Sequence, residues 1–573
     1  MWFKKRSSAT EAPASSESAC ASEDNYPVYS GVATTDNIEL NDGQRRLQEI
    51  ENAKFGWTQI RACLIAGAGF FTDAYDLFII NIASSMMAYV YYGSSTLPKD
   101  WDLGIKVATQ VGTLIGQLFF GWLGDSFGRQ KIYGIELMII IVGTIGSALS
   151  ASAVHGFNVL TTLTIMRFVV GFGVGGDYPL SAVITSEYAS TRHRGAMISA
   201  VFAMQGFGIL ASSIVSAIMV VAFKSAIIND LDNLDLAWRL CLGIGAIPAI
   251  ITVYFRITMK ETPRYQIDQA KALEKQRAEL ELKDAKNNSE QPQGGTNRYS
   301  SSDLHSVSDV DIKPENTHFE EKDLAMDQSA TPDSEEPTQA PAENKSSWQD
   351  FRRYYGQWKN LKILLACSVC WFALDVAFYG INLNNSIILE AIGYSSSTDP
   401  YENLRLTSIG NIIINLMGTV PGYWFTVFLI DRLGRKFIQI MGFTVMTVVF
   451  IILGFGYHPI LDASVALFIV FFTITQFFSN FGPNTTTFVY PGEVFPTRYR
   501  TTCHGISAAS GKLGAIVAQA GFSQLKDIGG KQAFVPHIIK IFALFMFIGL
   551  AFTFLLPETK GRTLEEITGE DKE

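Results

Sequence analysis

Two aspartates three residues apart, Asp73 and Asp76, lie in the apolar stretch GFFTDAYDLF, and Asp177 stands beside Tyr178 in another such stretch. Spacing of three puts Asp73 and Asp76 on one helix face. Carboxyls in a low-dielectric interior hold a proton more tightly than in water, as a reversible proton carrier near neutral pH must. Charge within stretches this apolar is costly and marks function by default, so Asp73, Asp76 and Asp177 are candidate proton-coupling groups. For the three as a group, a structural pairing with Arg167 or a helix N-cap is the bland alternative. Glu136 and Arg167 also interrupt apolar stretches. They fit a proton path or a structural ion pair equally well.

A second constellation suits an anion. Trp371, Asp375 and Tyr379 recur at i, i+4 and i+8 and so share a helix face. An indole N–H, a carboxyl and a phenol can each hydrogen-bond phosphate, but Asp375 donates only when protonated, which would tie anion binding to proton binding. Ordinary interfacial aromatics around a buried Asp are the competing reading. Lys512, in GISAASGKLGAIVAQ, has no acidic neighbour in its own helix. A lone ammonium at that depth needs an anion, and phosphate is the obvious one.

Two nucleotide-site lookalikes fail on context. GFGVGG at 171–176 fits G-x-G-x-x-G but lies in an apolar helix with no strand before it, so close helix packing explains its glycines better. GISAASGKL at 505–513 has one residue too many for a P-loop and Leu513 where Ser or Thr should meet magnesium. No cofactor is expected, nor a metal, a nucleic-acid partner or a paired catalytic constellation of an enzyme.

The elements that carry these residues follow from composition. The chain has 573 residues, 48% hydrophobic and 17% charged, against about 25% charged for a soluble domain. Helical spans need roughly 20 largely apolar residues. Such runs fall at 62–91, 103–123, 133–153, 158–187, 195–222 and 239–258, then at 361–391, 404–429, 437–456, 461–490, 502–524 and 534–556. The expected fold is an all-α membrane protein of twelve transmembrane helices in two six-helix bundles. Residues 1–56 form a tail, 57–264 the first bundle, 265–347 a polar linker, 348–558 the second bundle and 559–573 a second tail. Within the linker, 266–286 could form a charged helix and 287–345 is expected to be disordered. Residues 290–345 hold thirteen Asp/Glu against four Lys/Arg, which accounts for the whole net charge of −9. The six cysteines are scattered, and the C-x-x-C pair Cys367 and Cys370 reads as buried thiols.

Four short loops (124–132, 188–195, 430–437 and 496–501) hold nine Lys/Arg in 31 residues, and the six opposite loops hold seven in about twice that length. The basic side, with both tails and the linker, is therefore expected to be cytoplasmic. The basic loops also repeat. GDSFGRQK recurs as IDRLGRKF and SEYASTRHRG as GEVFPTRYRT, both 306 residues on, aligning Asp125 with Asp431, Arg129 with Arg435, Glu187 with Glu493 and Arg194 with Arg500. Asp125, Arg129, Lys131, Asp431 and Arg435 are suited to salt bridges that gate the cytoplasmic side, with a plain topological anchor as the alternative. Duplicated bundles of this kind build alternating-access transporters.

GWLGDSFGRQK at 121–131, with its weaker copy at 430–436 and PETKGR at 557–562, resembles the major facilitator superfamily. GGDYPLS (175–181), FGPNTTTF (481–488), PGEVFPTRYR (491–500) and WFALDVAFYG (371–380) resemble its fungal high-affinity phosphate:proton symporters, over about 56–265 and 348–567. The resemblance implies phosphate contacts at Tyr178, Gln205, Trp371, Asp375, Tyr379, Asn484 and Lys512, and a proton route near Glu136 and Arg167. It implies secondary, proton-coupled import of inorganic phosphate, with arsenate following on chemical grounds, by a protein of the plasma membrane. A permease for glycerophosphodiesters or other organic phosphates, or a phosphate receptor with a signalling role, remains the alternative.

Overall fold

The computed structural model describes residues 56–152, 158–258, 264–266, 348–395 and 399–570, with positions 277, 282 and 397. The N-terminal tail up to residue 55 and nearly all of the linker, including all of the charged segment 266–286 but positions 266, 277 and 282, lie outside the described residues. Every regular element among the described residues is helical. Eleven helices are long and apolar enough to cross a membrane: α1 (Gln59–Tyr92), α2 (Lys99–Phe127), α3 (Arg129–Ala148), α4 (Val159–Tyr188), α5 (Arg194–Ala222), α6 (Leu231–Ile257), α7 (Trp358–Asn382), α8 (Pro400–Leu433), α9 (Arg435–Phe455), α10 (Val465–Val494) and α12 (Val535–Thr553). The twelfth, α11 (Arg500–Leu525), has 26 residues and ample length. Its composition sets it apart, because Gly, Ala and Ser surround Arg500, His504, Lys512 and Gln519. That face is buried in protein, so α11 has little need of lipid-compatible side chains.

The protein is an integral membrane bundle of two six-helix halves, α1–α6 and α7–α12. Helices gain no hydrophobic drive from meeting inside lipid, so small residues that let backbones touch do much of the packing. The α2/α4 seam shows this. Gly112 and Gly116 on α2 face Gly171 and Gly175 on α4, and a Cβ on Gly171 would sit 2.1 Å from the Thr109 carbonyl oxygen. These include the glycines of the GFGVGG stretch, and packing is what they do.

Helix breaks set the depth of the polar residues. In α10, Pro483 lacks the N–H that would continue the helix, and the chain opens at Phe481–Gly482. The freed Asn480 carbonyl accepts from Thr426 Oγ1 (2.7 Å) and Thr485 Oγ1 (2.8 Å), and the Asn480 side chain accepts from Asn484 Nδ2 (2.7 Å). In α8 a π-helical turn at Asn415–Thr419 precedes Pro421, consistent with the tendency of such turns to sit at functional positions.

Candidate functional site

Lys512 lies on α11 at mid-bundle, fully buried. Its Nζ donates to Asp375 Oδ2 (3.1 Å) and to the Tyr379 hydroxyl (2.7 Å), and it lies over the rings of Tyr379 (4.2 Å) and Tyr178 (5.0 Å). The ammonium is therefore not alone, as its own helix suggested: its carboxylate comes from α7. Trp371, one turn before Asp375, packs so closely that a Cβ on Gly511 would be 2.5 Å from the indole Cδ1 and 2.9 Å from Asp375 Oδ2. Glycine at 511 is what lets α11 bring Lys512 alongside α7.

The remaining three residues of the phosphate set close the site from other helices. Gln205 on α5 donates to the Tyr178 hydroxyl (3.4 Å) and accepts from the Tyr423 hydroxyl (3.1 Å), and Asn484 on α10 donates to that same Tyr423 oxygen (2.7 Å). All seven thus fall in one connected cluster. Tyr423 on α8, which joins Gln205 to Asn484, is an eighth member that sequence reasoning missed. Phe488 and Phe202, stacked at 4.4 Å between ring centroids, form an apolar wall beside Tyr178.

The candidate proton groups lie in the first half. Asp177 and Glu136 share one cation, but it is Arg256 at the end of α6, through Nη2 (2.6 Å) and Nη1 (3.0 Å) respectively. Arg256 stands 4.4 Å over the Tyr133 ring, and Gly69 on α1 leaves room for it: a Cβ there would collide with the guanidinium and with Asp177 Oδ2. Asp177 also accepts from Ser181 Oγ in a very short hydrogen bond. Arg167 is buried and makes no close ion pair among the described residues; the carboxylate whose charge acts on it is Asp76, not Asp177 or Glu136. Asp76 accepts from Thr144 Oγ1 (2.6 Å). Asp73 is buried within reach of the Asp177 carboxyl, and neither of its oxygens accepts from another donor among the described residues. A charged carboxylate so placed costs several kcal/mol, and taking up a proton removes that cost.

The family model for "Sugar (and other) transporter" proteins matches residues 62–570. The chain belongs to this family. Among curated proteins it is 44% identical over 539 residues to the inorganic phosphate transporter PHO84 of Saccharomyces cerevisiae, covering 91% of this chain and 86% of that one. It is 41% identical over 558 residues to the repressible high-affinity phosphate permease of Neurospora crassa, covering 93% and 91%. Among solved structures it resembles the major facilitator superfamily proton:xylose symporter XylE (TM-score 0.61, 18% identity, covering 89% of this chain and 98% of that one), a likeness of fold.

In this member of the sugar-transporter family, the basic-loop end is held by two matching ion-pair sets. Asp125, at the end of α2, accepts the backbone N–H groups of Thr501 (3.2 Å) and Thr502 (2.7 Å), which the first turn of α11 leaves without internal acceptors. Its counterpart Asp431 accepts from the Ala196 N–H (2.9 Å) in the first turn of α5. Arg129 reaches Asp125 and Glu187 (3.3 Å each), and Arg435 reaches Asp431 (3.0 Å) and Glu493 (2.7 Å). The second arginines cross between halves: Arg500 to Glu187 (3.4 Å) and Arg194 to Glu493 (3.1 Å). Of the five candidate gate residues, four join this network. Lys131 is exposed and makes no ion pair among the described residues. Glu187, Glu493, Arg194 and Arg500 complete it; the repeat alignment had flagged these four without giving them a role.

Proposed function

We propose that this chain imports inorganic phosphate together with protons by alternating access, from the plasma membrane, with both termini and the basic loops in the cytoplasm. The carrying observation is the buried Lys512–Asp375 pair with Tyr379. An arriving phosphate competes with Asp375 for the ammonium. A proton on Asp375 releases Lys512 to the anion and turns a repelling carboxylate into a donor, so anion and proton favour each other. The Asp73, Asp76, Glu136, Asp177 and Arg167 cluster, with Arg256, supplies groups for the rest of the proton route. Tyr178, Gln205, Trp371 and Asn484 then position the phosphate oxygens. Relatives that bear the names of phosphate transporters support this substrate, and arsenate, alike in charge and geometry, is expected to follow.

The ion-pair sets at the basic-loop end serve as the cytoplasmic gate. The mutual packing of Trp371, Tyr178 and Phe488, ring centroids 6.3 to 6.5 Å apart, with Tyr178 5.0 Å from the ammonium, favours a small inorganic anion over an organic phosphate. The test is uptake of radiolabelled phosphate into proteoliposomes under an imposed inward proton gradient. Gradient-driven uptake, lost in Lys512→Ala and in Asp375→Asn and inhibited by arsenate, is the expected result. A folded native protein that accumulates no phosphate would sink the proposal, and stronger inhibition by glycerophosphodiesters than by phosphate would move the substrate to organic phosphates.

A further inference from the structure

At the end of the bundle opposite the basic loops, a small open cavity lies between the halves. Its charged lining is Lys99, Lys106 and Lys526 against the single carboxylate of Asp102, and the rest is largely serine and threonine hydroxyls. Lys106 is buried and bonds Asp102 Oδ2 (2.9 Å) and Asn384 Oδ1 (3.3 Å). Of the other two lysines, Lys99 donates to the neutral Gln524 Oε1 (2.7 Å), and Lys526 has only a loose ion pair with Asp527 (4.0 Å). Three lysines and many hydroxyls around one cleft suit an oxyanion.

The cavity is wired to the central site. Lys106 donates to Asn384, Asn384 donates to Gln519 Oε1 (3.2 Å), Gln519 donates to the Tyr379 carbonyl (2.8 Å), and the Tyr379 hydroxyl accepts from Lys512. The spacing that produces this path is regular. Lys512, Gln519 and Lys526 follow at intervals of seven along α11 and past its end, which keeps them on one stripe and separates Lys512 from Lys526 by about 21 Å. Lys99 and Lys106 hold the same interval on α2, the helix packed against α11.

We propose that this cavity is a second oxyanion site, a staging site that takes up inorganic phosphate and passes it along the α2/α11 seam towards Lys512. It rests on the phosphate-transport reading above. Capture in a basic cleft acts on the encounter rate and is screened by salt, so its signature lies in KM and ionic strength. The Lys99→Gln/Lys526→Gln variant, whose two side chains lie at the cavity mouth, is expected to raise the KM for phosphate about fivefold in dilute buffer with Vmax unchanged, the difference closing near about 0.5 M salt. An unchanged KM and salt profile would overturn the proposal.

A second arm does not depend on transport. In the Lys512→Gln/Asp375→Asn variant, which leaves neither member of the central pair charged, inorganic phosphate is expected still to show 31P line broadening by the purified protein. Adding Lys99→Gln and Lys526→Gln should abolish it. Absence of broadening in the first variant overturns the staging site, whereas broadening there with no uptake by the native protein refutes transport and leaves the site standing.

Discussion

The two halves are near copies at the basic-loop end and unlike at mid-depth. At the basic end each residue of one ion-pair set has its counterpart 306 residues away, down to the crossed arginines Arg194 and Arg500. At mid-depth the same offset carries Glu136 to Gly442 and Asp177 to Pro483. Where the first half holds two carboxylates around Arg256, the second packs glycine against proline so tightly that a Cβ on Gly442 would lie 2.4 Å from Pro483 Cδ. Conversely, Lys512 has Gly206 as its counterpart, set against the ring of Tyr423. The duplicated part suits the motion both halves share, and the diverged part gathers buried carboxylates around Arg256 in one half and the Lys512–Asp375 pair in the other.

That separation is open to breaking. Loss of Lys512 should abolish substrate binding, whereas loss of Asp73 should uncouple it. Lys512→Gln, which removes the cation the anion would meet, is expected to lower uptake at least about a hundredfold, within the roughly 2–5 kcal/mol that losing one member of a buried charge pair costs binding. Both gradient-driven uptake and phosphate exchange at equal concentrations should fall together. Asp73→Asn should behave differently, retaining exchange within about threefold while losing accumulation above equilibrium. Loss of exchange in Asp73→Asn would erase the distinction between the halves.

Much of the architecture was legible because apolar length is a local property. Each of the twelve expected runs coincides with a long helix to within a few residues, except at the start of α6 and the end of α7. The repeat offset likewise exposed the pseudo-symmetric ion-pair residues, though pairing across halves is a long-range fact that a sequence does not carry. Arg256 was hidden for another reason. It closes the apolar run TVYFRIT, where a cation reads as an interfacial anchor, and only the docking of α6 against α1, α3 and α4 turns it inward. Tyr423 is one aromatic of GYWF with no spacing that marks it, and Lys106 sits at the polar start of the second apolar run, where α2 begins at Lys99 and buries it. The Asp375 partner of Lys512 was seen as a residue but not as a contact, since α7 and α11 are more than a hundred residues apart.

If the basic-loop end is symmetric in energy as well as in outline, Glu187→Gln and Glu493→Gln should loosen it alike. Each change is expected to raise hydrogen exchange of the amides at 194–202 and 497–505 by about five- to fiftyfold, equivalent to about 1–2 kcal/mol. A marked inequality between the two would show that the second half, where Arg435 contacts Glu493 through two nitrogens (3.0 and 2.7 Å), carries more of the closure than the first.

The smallest expected effect concerns the segment after α12, which touches both halves. Arg264, just beyond α6, pairs with Glu565 in a very short contact, and Glu570 accepts from the Thr497 N–H (3.0 Å). Burial alone would raise the Glu565 carboxyl, but the Arg264 guanidinium wins and holds it below its ordinary value. A carboxylate with a depressed folded value contributes its stabilisation in full above the unfolded value, near 4.5, and loses it as pH falls through the folded one. Exchange protection of residues 564–570 should therefore be flat from pH 7 to about pH 5 and decline only in stronger acid. Glu565→Gln should lower it about fivefold at pH 7, near 1 kcal/mol, and flatten the acid decline. A decline that begins between pH 7 and 6 in the native protein would mean that another group holds this segment in place.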